Sequence, residues 1–200
     1  MSEPAHIRAF VAVDLVPQVR LGLVQLKAEL ARTRADVRWV RDDGLHATLK
    51  FLGAVAAERL EAVGEAVAQV AAAVPEFAAH VRGLGAFPSL KRPRVCWVGI
   101  EAAQLAVLAR AVENALVPLG FAAEARPFHA HVTLGRINSP RGWPALEEML
   151  KQHWNDDFGV SPVDCITVYR SDLRAGGAVY TALWTRRLAA STRGADHGIG

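Results

Sequence analysis

Cysteine is scarce in this 200-residue chain: Cys96 and Cys165 are the only two. That excludes a disulfide scaffold, and their spacing fits no structural zinc site. Lysine is nearly as rare, with Lys27, Lys50, Lys91 and Lys151 alone, so arginine supplies 19 of the 23 basic residues. No apolar run approaches the roughly 20 residues of a membrane-spanning helix. The start, MSEPAHIRAF, lacks the charged lead and long apolar stretch of a signal peptide. These absences lead us to expect a soluble cytoplasmic protein with no membrane partner. No Walker-type glycine loop is present, so no nucleotide cofactor is expected.

What is there is a globular composition. Hydrophobic residues make up 52% and charged residues 22%, which leaves ample material for a core and argues against disorder. The formal net charge is +3 and the pI near 9.2, a balance that permits a nucleic-acid partner without requiring one. The guanidinium fork suits phosphate oxygens, although an arginine- and alanine-rich composition also arises from a GC-rich genome, so each arginine is judged by position.

Periodicity predicts strands at 6–14, 37–40, 45–52, 77–85, 94–100, 128–137, 163–171 and 179–188. It predicts helices at 17–32, opened by Pro17, and at 56–74, 103–119 and 143–153. The last two strands read as a hairpin around Ala175-Gly176-Gly177. Strands and helices mix without a regular βαβ rhythm, which points to an α+β fold with largely antiparallel sheets. Residues 1–188 are expected to form one domain, and 189–200 a disordered tail.

One tetrapeptide recurs. His46-Ala47-Thr48-Leu49 and His131-Val132-Thr133-Leu134 lie 85 residues apart, each in a predicted strand, and an internal duplication explains them simply. Strand alternation sets His46 and Thr48 on one face, with Leu45, Ala47, Leu49 and Phe51 turned to a core. His131 and Thr133 project together over Val132 and Leu134. If the two halves pack about an approximate two-fold axis, two imidazoles and two hydroxyls line one cleft. Such a set suits a phosphodiester. One histidine takes a proton from water and the other gives one to the leaving alkoxide, each step typically worth about 10²–10⁴ in rate. Hydroxyls donate to non-bridging oxygens as charge builds there.

HATLKFLG and PFHAHVTLGR resemble the two signature motifs of the 2H phosphoesterase superfamily, and within it the chain is similar to the RNA 2′,3′-cyclic phosphodiesterases, also called 2′-5′ RNA ligases. IRAFVAVDL, VRWVRDDGLHATLKFLG, LGAFPSLKRPRVCWVGI and SDLRAGGAVYTALWTRRL extend the likeness to about Leu188. Ala130 departs from it, where relatives often carry proline. The resemblance implies a bilobal α+β fold with two pseudo-symmetric lobes flanking a central cleft. It implies opening of a 2′,3′-cyclic phosphate at an RNA end to leave a 2′-phosphate, without a metal. His46 would be proton donor and His131 proton acceptor, an order that near-symmetry leaves open, while Thr48 and Thr133 hold the phosphate. Reversible 2′-5′ ligation is a further possibility.

Secondary candidates are weaker. Arg136 follows the second motif and matches an arginine common there in relatives, but alternation turns it from His131 unless a strand end or a bulge intervenes. His129 shares the His131 face and could touch phosphate or form half of a metal pair. Phe128, Trp39 and Phe87 could stack a base or belong to the core. Arg92 and Arg94 could meet an RNA backbone or simply be solvated, and Lys50 reads as a solvated strand end. Two other functions remain open: processing of small cyclic phosphates or 2′-5′ oligonucleotides, and RNA binding without catalysis. A monomer is favoured.

Overall fold

The computed structural model describes residues 6–174 and 177–191. The strands are β1 (His6–Asp14), β2 (Val37–Trp39), β3 (His46–Ala56), β4 (Phe77–Phe87), β5 (Val95–Glu101), β6 (His131–Ile137), β7 (Asp157–Val163), β8 (Cys165–Arg174) and β9 (Gly177–Arg187). The helices are α1 (Pro17–Ala31), α2 (Leu60–Ala73), α3 (Ala103–Leu116) and α4 (Trp143–Gln152). A 3₁₀ turn, Asp42–Gly44, precedes β3, and Pro17 opens α1 where no backbone donor is needed.

The nine strands form an antiparallel array in the order β7-β4-β5-β6-β3-β1-β8-β9, with the short β2 also paired to β6. One lobe holds β3, β1, β8 and β9, and the other β6, β5, β4 and β7. The expected pair of sheets is thus joined edge to edge. The joint is narrow: β3 and β6 share one recorded pairing, Ala47 with Val132. The lobes are interlaced in sequence, because β4 follows the first-half helix α2 yet pairs with β5, while β8 returns from the second half to pair with β1. α2 packs on β8 and β9, α3 on α2 and β3, α1 on β7 and α4, and α4 on β4.

The core is contributed by helix faces and strand residues together. Leu23 and Leu30 of α1, Leu105, Leu108 and Val112 of α3, and Leu146 and Leu150 of α4 are fully buried, as are Ala47, Val98, Val132 and Leu134 of the sheet. Each fully buried leucine or valine is worth about 1.5–3 kcal/mol of burial free energy. β7 escapes sequence periodicity because Gly159 and Pro162 interrupt it; Pro162 is tolerated in an edge strand. The tail expected beyond Leu188 begins as an ordered segment. The Ala189 N–H is within 3.0 Å of the Ala71 and Val74 carbonyls, and its own carbonyl accepts from Glu76 N–H at 2.8 Å. Residues 192–200 lie outside the described residues, as do Ala175 and Gly176 of the expected hairpin turn.

Two bulges re-aim side chains. Ala12 pairs with Thr48 and Val11 with Lys50, so Leu49 is an extra residue in β3. Thr133 pairs with Trp97 and Gly135 with Cys96, so Leu134 is its equivalent in β6. Each bulge shifts the alternation by one residue. Leu49 and Lys50 are therefore both buried, and Phe51, expected in the core, is 61% exposed. Lys50 is not a solvated strand end: its ammonium donates to the Ala122 carbonyl at 2.8 Å and lies 3.7 Å from Glu113 of α3.

Gly135 lets β2 approach β6. A Cβ there would stand 2.5 Å from Val37 Cγ1 and 2.9 Å from Trp39 Cε3. We expect Gly135→Ala to displace β2 and to cost about 1–3 kcal/mol in chemical denaturation, the range for an overpacked site. An unchanged unfolding midpoint would contradict this packing.

Candidate active site

The Ala47–Val132 pairing fixes the register of the seam. Counting outward along the antiparallel ladder sets His46 opposite Thr133, and Thr48 opposite His131. Ala47 and Val132 point into the core and are wholly buried, so the two histidines and two threonines share the opposite face, where all four are half-buried. A local two-fold axis passes between Ala47 and Val132. The histidines are diagonal neighbours across this ladder, a relation that sets such positions about 7–8 Å apart. One phosphate group fits between imidazoles at that spacing.

A carbonyl stands two residues back along the chain from each ring. His131 Nδ1 lies 2.7 Å from the His129 carbonyl, and the Gly44 carbonyl favours the protonated form of His46. The carbonyl accepts, so Nδ1 of His131 is the protonated nitrogen and Nε2 is presented to the cleft. Gly44 itself sits in a clamped turn. Lys27 of α1, buried, donates to the Val40 carbonyl at 2.6 Å and pairs with the Asp42 carboxylate. Arg20 reaches the Asp43 carbonyl at 3.3 Å. A Cβ on Gly44 would meet Tyr180 Cε2 at 3.0 Å, so a side chain there would press on this ring.

Aromatic side chains wall both imidazoles. Phe10 stacks on His46 at 4.7 Å between centroids, with Tyr180 edge-on at 5.1 Å and Tyr169 parallel at 6.0 Å. Phe87 is edge-on to His131 at 5.0 Å, and Trp97 is 6.5 Å away. Strand pairing brings these rings in from β1, β8 and β9 on one side and from β4 and β5 on the other. Their roles follow from sheet order, which local sequence does not reveal; Phe87 alone was visible as a candidate, and Phe10, Tyr169, Tyr180 and Trp97 were not.

Charge around the two rings is unequal. Burial lowers the pKa of His46 to about 4, while the Asp14 carboxylate, its partner across the β1–β3 ladder, and the Gly44 carbonyl pull it back up. Asp14 is held by the Tyr169 hydroxyl, which donates at 2.7 and 2.9 Å, and has Arg20 at 3.7 Å. Burial also lowers His131; the His129 carbonyl opposes that, and the charges of His129 and Arg136 add to it. Burial pushes up the Tyr169 phenol as well, reinforced by Asp14.

The bulge at Leu134 returns Arg136 to the face of His131 and Thr133, the condition under which it could act there. His129 is exposed, edge-on to Phe87 at 5.0 Å, and it meets His131 both through its backbone carbonyl and through its ring, whose centroid is 6.1 Å from that of His131. Phe128 packs against the hydrophobic core, as does Trp39. Arg94 is exposed at the β4–β5 turn, tied by its backbone to Phe87 and Ile137, and no recorded contact brings it to the histidines. Phe51 lies beside Phe10 on the cleft face at 6.2 Å, a position hidden from alternation by the bulge. Among the described residues no three His, Cys, Asp or Glu side chains gather to hold a metal, and no helix is long and apolar enough to cross a membrane.

Comparison with known proteins gives a consistent result. The family model described as LigT like Phosphoesterase matches twice, over residues 13–97 and 98–180, so each match contains one His-x-Thr. A protein of Aeropyrum pernix named RNA 2′,3′-cyclic phosphodiesterase is 36% identical over 86% of this chain and 97% of its own length. A protein of the same name from Methanothermobacter thermautotrophicus is 32% identical over 91% and 99%. The crystal structure of TT0787 of Thermus thermophilus superposes with a TM-score of 0.80 at 29% identity, covering 92% of this chain and 99% of that one. E. coli LigT complexed with 3′-AMP superposes with a TM-score of 0.72 at 26% identity, over 92% and 99%.

The depressed His46 couples the site to stability. An unfolded histidine binds its proton near pH 6.5, whereas folded His46 binds it near 4. Between these values the unfolded chain holds more protons, so stability falls as pH drops from about 6.5 toward 4, by up to about 3 kcal/mol. Urea titrations across this range are expected to show a shallower decline in His46→Gln. Parallel declines in both proteins would contradict the burial assigned to this ring.

Proposed function

From the premise that this chain belongs to the LigT-like phosphoesterase family, we propose that it is an RNA 2′,3′-cyclic phosphodiesterase. The observation that carries the reading is the seam itself: two histidines and two threonines around one pairing, each ring backed by a carbonyl. In the reaction His131 Nε2 takes a proton from water as the water oxygen bonds to phosphorus. The P–O3′ bond breaks, and His46 delivers its proton to O3′, leaving a 3′-hydroxyl and a 2′-phosphate. Solvent exchange returns the proton from His131 to His46. Thr48 and Thr133 donate to the non-bridging oxygens as negative charge accumulates on them.

Local charge supports this order of roles. Asp14 favours the imidazolium at His46, as a proton donor needs, against the burial and the charges of Arg20 and His131 that hold that ring's pKa at about 4. Arg136 disfavours the imidazolium at His131, as an acceptor needs. The bound phosphate, an anion between the rings, raises both pKa values toward the working range. A 5′-hydroxyl in place of the water would yield a 2′-5′ linkage by the same bond changes. We take residues 1–188 as the functional unit, because Leu188, buried and bonded through its N–H to the Asp164 carbonyl, closes the lobe that carries β3.

RNA bearing a 2′,3′-cyclic end should be opened in excess EDTA to a terminal 2′-phosphate. His46→Ala and His131→Ala should each lose about 10²–10⁴ in kcat while keeping a wild-type fold by circular dichroism. A 3′-phosphate product would overturn the bond assignment, and full activity in either variant would remove that residue from the acid–base pair.

A further inference from the structure

The cleft carries a second cationic feature that the chemistry above does not use. Arg38 of β2 is the direct ladder partner of Arg136 of β6. Val37 and Trp39 pack on the core, so Arg38 faces the other way. Gly135 pairs with buried Cys96, so Arg136 also faces away from the core, toward the catalytic face. Two arginine side chains thus leave directly paired positions on one face, in a strand pair drawn close by Gly135.

Like charges directly opposite in a ladder are destabilising. Among the described residues neither arginine makes an ion pair or a side-chain hydrogen bond, whereas Arg20, Arg41, Arg82 and Arg170 each have a carboxylate partner. Both charges reach the active site: burial raises the Tyr180 phenol, and Arg136 and Arg38 pull against it, while Tyr180 is edge-on to His46. Arg136 is two ladder steps beyond Thr133, about 7 Å by strand rise. The pair therefore lies one short stride past the phosphate position at the His46–Thr133 end. At the Thr48–His131 end the equivalent position after the bulge is Phe51, which is uncharged.

We propose that Arg38 and Arg136 form a second anion subsite that binds the phosphate on the 5′-oxygen of the nucleoside whose 2′,3′-cyclic phosphate is being opened. This rests on the phosphodiesterase reading above. The chemistry selects the atom: O2′ and O3′ both belong to the cyclic phosphate, so the next anion along the substrate must hang from O5′. Paired guanidinium forks match phosphate oxygens in charge and geometry. The site then distinguishes an RNA strand from a bare nucleoside cyclic phosphate.

Three substrates separate the sources of that anion: adenosine 2′,3′-cyclic phosphate, the same compound with a 5′-phosphate, and a dinucleotide ending in adenosine 2′,3′-cyclic phosphate. Wild type should show kcat/KM at least about tenfold higher on the dinucleotide than on the first compound, as expected of charge-assisted guanidinium–phosphate bonds. A similar gain on the 5′-phosphorylated mononucleotide would place the recognition in the phosphate alone. Arg38→Ala should bring these ratios close to one, and Arg38→Lys should retain part of them. A binding measurement stands apart from turnover. Adenosine 2′,5′-bisphosphate should bind wild type about tenfold more tightly than adenosine 2′-monophosphate, and Arg38→Ala should bind the two alike. Failure to open any of the three substrates would defeat the phosphodiesterase reading. Equal affinity of the two adenosine phosphates for wild type, or a preference that survives Arg38→Ala with thermal stability intact, would overturn the subsite.

Discussion

A single backbone pairing, Ala47 with Val132, organises the functional surface of this protein. Because β3 and β6 run antiparallel, that contact puts each histidine opposite the other motif's threonine. A slip of one residue would turn one motif into the core and leave the other alone at the surface. The small Ala47 and branched Val132, both fully buried, pin the register by filling the space beneath the seam. The two lobes need no extensive interface to make a symmetric cleft. They need this pairing and the exchange of β4 and β8 that makes the halves interdependent.

Approximate symmetry builds the cleft, and departures from it make the two histidines unlike. Both imidazoles are backed by a carbonyl two residues earlier and walled by aromatic rings. Those walls withdraw water, which lowers both pKa values and strengthens every charge interaction inside. The neighbours then differ in sign. Asp14, tethered by Tyr169, pulls the His46 pKa up, while the charge of Arg136 pulls that of His131 down. Beyond the bulges the two ends differ again, with paired arginines at one and exposed Phe51 at the other. A nearly symmetric cleft thereby acquires two unlike ends.

The sequence carried the repeated tetrapeptide, the α+β class and most element boundaries, because alternation and helical spacing are local signals. β1 is found at residues 6–14 as expected, and α1 begins at Pro17. Local signals fail where pairing decides. The extra residues at Leu49 and Leu134 become bulges only in the presence of β1 and β5, so the burial of Lys50 and the exposure of Phe51 were illegible. Tyr169, Tyr180 and Arg38 gain meaning from the strands beside them. Arg136 is legible conditionally: alternation needs a strand end or a bulge to return it to the His131 face, and the β5–β6 register supplies a bulge. β7 was lost because a strand with a glycine and a proline has no period to read.

The central claim is that His46 and His131 act on one phosphate held between them. The most direct measurement is a titration of inorganic phosphate into protein labelled with ¹⁵N in histidine, following the ring nitrogens by nuclear magnetic resonance. The account predicts that the Nε2 signals of both residues shift together, with one dissociation constant and one phosphate per chain. Shifts confined to one ring, or two rings saturating at different concentrations, would contradict it.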